Sequence, residues 1–160
     1  KFGKVDTFNI FLKNVKTAGI SQYINPIRNT SKNASMGFTS PVEFIFIDGN
    51  HDYELVKLDF NLWFPRVVNG GILAFHDSWY FIGVNLLTAI VILFSSKVRK
   101  PKLIDSITYF QKVENSSLFD RIENTLFVIN RTFFGFMGSL RLLRNKKVFK
   151  CSHFSIKANA

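Results

Sequence analysis

The sequence is poor in cysteine, proline and histidine: one Cys, four Pro and three His among 160 residues. A single thiol, Cys151, excludes an internal disulfide framework and points to a reducing, cytoplasmic setting. So few prolines beside 19 phenylalanines and 47% hydrophobic residues exclude a disordered composition. The length suits one domain with a real core. The chain opens on Lys1 without Met or a signal-peptide pattern, and is therefore read as a portion of a longer protein. Charge is also missing in one place: none falls between Ser78 and Ser96.

What charge there is lies unevenly. Residues 1–80 carry 8 Lys/Arg against 7 Asp/Glu, whereas residues 81–160 carry 13 against 4. A basic half attracts polyanions or anionic surfaces, or is simply solvated. The tail from Arg141 to Lys150 lacks the interleaved aromatics of a base-stacking platform, so no nucleic-acid partner is expected. The uncharged stretch is followed by Lys97, Arg99, Lys100 and Lys102, flanks that would suit a membrane span. Gly83, Asn85 and Thr88 dilute it, and a buried helix covering a sheet is the preferred reading. Peripheral membrane contact stays as an alternative, helped by the mixed apolar and basic stretch Leu118–Leu143, which reads as helical.

Periodicity supplies the elements. Phe8, Phe11, Leu12 and Val15 mark one face of a helix over Thr7–Gly19, with Asp6 or Thr7 as its cap and Gly19 as its end. Tyr23–Asn29 reads as a short strand broken by Pro26. "VEFIFID" (Val42–Asp48) is a continuous apolar run, expected of a parallel strand buried on both faces. A helix follows with Val56, Phe60, Trp63 and Val67 on one side, ending between Pro65 and Gly71. "GILAFHD" (Gly71–Asp77) is a second buried strand, parallel to the first, and "SITYFQKV" (Ser106–Val113) alternates like a third.

Both apolar runs stop at polar clusters, Asp48-Gly49-Asn50-His51-Asp52 and His76-Asp77-Ser78. In an open α/β sheet ligands bind outside the carboxyl ends of strands. Neighbouring strands would bring Asp48 and Asp77 within about 5 Å. Two carboxylates there can hold a cation, orient a hydroxyl or act as base, or else cap the next turns. His51 and His76 can accept a proton or ligate a metal. His153 is isolated in a basic tail and reads as surface. The tetrapeptide Gly49-Asn50-His51-Asp52 also matches GNHD of two-metal phosphoesterases. Such a site needs ligands for two ions about 3.5–4 Å apart. The remaining histidines and acids are not spaced for them, so a metallophosphoesterase is rejected.

Val42 to Ser78 resembles the class I S-adenosylmethionine-dependent methyltransferases, specifically the branch that methylates hydroxyls of small molecules and sugars. The residues that carry the resemblance are Phe46-Ile47-Asp48-Gly49, His51, Tyr53, Asp59, Trp63, Gly70-Gly71 and His76-Asp77. It covers residues 7–80 well and 81–115 loosely. It implies an α/β fold with a Rossmann-like, partly parallel sheet and flanking helices, in which the three strands would be the family's third, fourth and fifth. It implies S-adenosylmethionine as cofactor and a small-molecule or sugar acceptor. Asp48 would lie between donor and acceptor, Ser31 would contact the adenine side, and His51 or His76 would act as base. Where relatives bind a divalent cation such as Mg, the matching positions are Asp48, His76 and Asp77, with Ser78 as a further candidate.

One family feature is missing. The nine glycines form no G-x-G-x-G run in a strand–helix setting, and no acid follows a second strand to hold the ribose. The resemblance implies that the first two strands, which lie between the third and fourth, precede Lys1. The chain by itself is then expected to bind S-adenosylmethionine weakly. Its Asp48 strand should be left with an open edge that aggregates, self-associates or pairs with the strand around Ile27. A noncatalytic or membrane-associated remnant is the alternative. The expected organisation is a partial methyltransferase α/β domain over residues 1–115 and a basic, helical extension over 116–160.

Overall fold

The structure, a computed structural model, describes residues 7–145, with side chains as far as Phe133. Asp6, Cys151 and His153 lie outside the described residues, as do the side chains of the basic tail. Four strands form one sheet: β1 (Val42–Ile47), β2 (Val67–Phe75), β3 (Val98–Ile104) and β4 (Ile107–Lys112). Their spatial order is β1-β2-β4-β3. β1 runs parallel to β2, while β4 is antiparallel to both β2 and β3. Five helices accompany them: α1 (Thr7–Thr17), α2 (Ser31–Gly37), α3 (Tyr53–Trp63), α4 (Ile82–Phe94) and α5 (Leu118–Asn145). The fold is α/β, as the alternation of apolar runs and helical periodicity implies.

One core cluster joins the sheet to three helices. Ile47, Leu73, Phe75, Phe110 and Val98 come from the strands, Val56 from α3, Val84, Leu87 and Val91 from α4, and Val128 from α5. The uncharged stretch is thus a core helix of 13 residues, and its buried side includes Leu87, Thr88, Val91 and Ile92. Among the described residues no helix is long and apolar enough to cross a membrane.

Several expectations need correction. Tyr23–Asn29 is not a strand: a short 3-10 turn over Ser21–Tyr23 leads into irregular backbone. A strand needs a neighbour for its backbone groups, and no described strand stands beside this segment. It does not cover the open edge of β1 either. β1 is buried on one side only, because Ile47 enters the core while Phe44 and Phe46 stay exposed at 58% and 44%. β2 starts at Val67, earlier than Gly71, because Pro65 ends α3 in a single 3-10 turn. β3 was not anticipated. Its run of cations hides the alternation, and a bulge between Arg99 and Lys102 shifts the register.

Helix α1 forms and ends as its periodicity implies. Gly19 takes φ +69°, the left-handed conformation that a glycine adopts without strain. Its apolar stripe, however, is not sunk in the core, since no residue of α1 is buried.

Candidate active site

β1 and β2 end side by side, and the amide of His76 donates to the carbonyl of Ile47 at 2.9 Å, one step past the strand ladder. That bond brings the two polar clusters together. His76 Nδ1 lies 3.3 Å from Asp48 Oδ1 and 3.3 Å from Asp77 Oδ2. His51 Nε2 lies 3.3 Å from the same Asp77 oxygen, without the angle of a hydrogen bond. The four side chains anticipated from sequence, Asp48, His51, His76 and Asp77, therefore form one connected group.

The loop after β1 is built by its own polar residues. Asn50 Oδ1 accepts from the amide of Asp52 at 2.7 Å, and Asp52 Oδ1 accepts from the amide of Glu54 at 3.0 Å. Asp52 is thus the N-cap of α3. Two members of the GNHD tetrapeptide, Asn50 and Asp52, serve the turn. His51 is presented between them, and Phe81 lies flat on its ring with centroids 3.8 Å apart and planes 8° apart.

Gly83, in the first turn of α4, holds this loop from behind. A Cβ there would stand 2.3 Å from the His51 carbonyl oxygen and 2.7 Å from the Tyr53 amide nitrogen. Asp77 has φ +52°, a conformation Asp tolerates better than most residues. Its carbonyl accepts from the amides of Tyr80 and Phe81. Phe81 and Gly83 were not singled out from the sequence as parts of the site. Both fall in the uncharged run, where a core helix explains every residue equally well.

Ser78 does not join the cluster. It is fully buried, and its hydroxyl is engaged with the Ser106 carbonyl at 2.9 Å and with Thr108 Oγ1 at 2.7 Å. It follows the turn at Asp77 and points into the fold instead of toward Asp48.

Beside Asp48 lies an open cavity of about 230 Å³, lined by Ser31, Ile45, Phe46, Ile47, Asp48, Gly49, Asp59 and Trp63. Ser31 and Asp48 share this cavity. Trp63 Nε1 donates to Ser31 Oγ at 2.7 Å, which fixes the hydroxyl oxygen and leaves its own proton to donate. Small-molecule sites usually measure about 300–1,000 Å³, so this is room for part of a ligand. A larger groove of about 520 Å³ runs past Phe38, Pro41, Pro65 and Arg66, where β1 and β2 begin. It is at the wrong end of the strands for this fold. Its one cation is already bound to the carbonyls of Phe38, Leu62 and Ser35.

The residues do not fit a resident metal. Among the described residues no three His, Cys, Asp or Glu side chains are set to hold an ion together. His76 Nδ1 faces two carboxylates at once, so that nitrogen is placed to donate to them and not to ligate an ion beside them.

Comparison with known proteins points in the same direction as the sequence. Residues 2–78 match the family described as a methyltransferase domain. The match covers just under half of the chain. Over 73 residues the chain is 37% identical to an uncharacterised protein of Acanthamoeba polyphaga mimivirus, covering 44% of this chain and 30% of that protein. An rRNA methylase from Streptococcus thermophilus shares the fold with a TM-score of 0.53 at 13% identity, covering 69% of this chain and 70% of the methylase. The MycE methyltransferase of the mycinamycin biosynthetic pathway, solved with Mg, SAH and mycinamycin VI, overlaps 60% of this chain and 34% of its own length. Its TM-score is 0.43 at 16% identity. The chain thus spans about a third of the mimivirus and MycE proteins. Within the matched residues, the site described above occupies the carboxyl ends of β1 and β2.

Proposed function

We propose that the domain transfers a methyl group from S-adenosylmethionine to a hydroxyl of a small molecule or sugar, with the Asp48–His76–Asp77 group as the acid–base centre. The observation that carries this reading is the position of His76 Nδ1, 3.3 Å from each of two carboxylates at the ends of neighbouring parallel strands. When bound, S-adenosylmethionine supplies an electrophilic methyl carbon on a sulfonium. Everything asked of the protein is to hold the acceptor oxygen in line with that carbon and to take its proton.

His76 is the better placed base. With Nδ1–H shared between Asp48 and Asp77, the Nε2 lone pair is left to accept a proton, and the two carboxylates stabilise the imidazolium that forms. His51 is less suited. Its Nε2 is buried and faces only Asp77, and Phe81 covers one side of its ring. It acts instead as a prop for the shared carboxylate. Ser31 and Asp48, which line one cavity, form the part of the donor site that this chain contributes, with Ser31 toward the adenine. The glycine-rich loop and the ribose-binding acid are not in this sequence, so this chain supplies one side of that site.

The test is transfer of a labelled methyl group from S-adenosylmethionine to a panel of hydroxylated acceptors by the full-length protein. Asp48→Ala is predicted to abolish most of the transfer. An unchanged rate would remove Asp48 from the mechanism.

A further inference from the structure

We propose that Arg131, on α5 and outside the residues matched to the methyltransferase family, is a positioning residue that fixes Asp77 and His51 relative to each other. The inference rests on the reading of the Asp77 cluster as the acid–base site.

Arg131 is 6% exposed, and among the described residues no carboxylate lies within ion-pair reach of it. Burial lowers its pKa to about 10, so it remains charged at neutral pH. An unpaired buried cation is costly, and an apolar side chain would fill the same space at less expense. The guanidinium is instead satisfied by neutral acceptors alone. Nη2 donates to the Ser78 carbonyl at 3.1 Å, the Asn85 carbonyl at 3.2 Å and Thr88 Oγ1 at 3.0 Å, and Nη1 donates to Thr108 Oγ1 at 3.2 Å.

Those acceptors are not scattered. The Ser78 carbonyl belongs to the residue that follows Asp77, whose positive φ sets the carboxylate. The Asn85 carbonyl belongs to the first turn of α4, which brings Phe81 onto the His51 ring and Gly83 against the His51 carbonyl. One planar fork therefore ties the Asp77 turn to the turn that backs His51. Its rigid geometry suits this role better than a lysine would.

The experiment compares imidazole and carboxylate NMR signals of His51 and Asp77 in the purified chain and its variants, and needs no methyl acceptor. Thr125→Val is the control, because Thr125 Oγ1 bonds only the Arg121 carbonyl on the exposed side of α5. Arg131→Lys and Thr88→Val are predicted to shift the His51 ring protons away from the stacked, upfield position that Phe81 imposes, whereas Thr125→Val leaves them in place. If Arg131→Lys does not fold, Thr88→Val decides alone. Folded variants with His51 and Asp77 signals identical to those of the parent would overturn the proposal. Loss of methyl transfer in Asp48→Ala with these signals unmoved in Arg131→Lys would sink the positioning role while leaving the acid–base reading intact.

Discussion

His51 Nε2 and Asp77 Oδ2 stand 3.3 Å apart, although one belongs to the loop after β1 and the other to the turn after β2. The same Asp77 oxygen is 3.3 Å from His76 Nδ1, so a single carboxylate serves both imidazoles. Asp77→Asn isolates its charge, because Asn also tolerates the left-handed backbone that Asp77 adopts. Methyl transfer is expected to fall about 10²–10⁴-fold, the usual range for a lost acid–base partner. Melting should barely change. Asp77→Ala should cost about 1–2 kcal/mol more stability than Asn, since it adds backbone strain.

Gly83→Ala should be among the most damaging small substitutions in the chain. The added methyl meets backbone atoms of His51 and Tyr53 that cannot rotate away. A loss of about 1–3 kcal/mol is expected from such overpacking, read as a lower urea midpoint. Gly37→Ala is the control, because a Cβ there meets nothing within 4 Å.

These two positions show what the sequence could and could not convey. Strands ending at Asp48 and Asp77 were legible because an apolar run that stops at an acid has no packing reason to do so. His51 and His76 were legible by the same logic. The support behind them was not: Gly83, Phe81 and Arg131 sit in stretches where each has an ordinary local explanation, and only the tertiary contacts show what they hold. β3 was hidden by its charges, since edge strands carry cations for reasons unrelated to burial. The supposed strand around Ile27 failed for the opposite reason: its apolar residues suit a strand, but among the described residues no strand pairs with it.

At the start of α5, Asp120 and Ser117 cap each other. The Ser117 amide and hydroxyl donate to Asp120 Oδ2 at 2.8 and 2.6 Å, and the Asp120 amide donates to Ser117 Oγ at 3.1 Å. The Ser117 hydroxyl first, and its amide next, hold the Asp120 carboxyl below the usual carboxylate range. Its folded value lies below its unfolded value, so the stabilisation is complete above about pH 4 and disappears as pH falls through the folded value. Asp120→Ala should lower the urea midpoint slightly at pH 6, a small effect because the carboxylate is exposed. Urea titrations at pH 6 and at pH 2.5 should show the difference between parent and variant shrinking at the lower pH.

The two edges of the sheet are treated differently. β3 carries Lys97, Arg99, Lys100 and Lys102 in or beside it and is broken by a bulge near Pro101, devices that discourage pairing. β1 presents Phe44 and Phe46 and no lysine. The chain by itself is expected to self-associate with rising concentration in sedimentation velocity. Phe44→Lys should shift it toward monomer, and a parent chain that stays monomeric throughout would show that the β1 edge does not drive pairing.

The central claim is that His76, held between Asp48 and Asp77, takes the proton from the methyl acceptor. Its most direct test is the rate of labelled methyl transfer by the full-length protein carrying His76→Gln, set beside His51→Gln. The account predicts a fall of about 10²–10⁴-fold for His76→Gln and a smaller loss for His51→Gln. A parental rate in His76→Gln would contradict it.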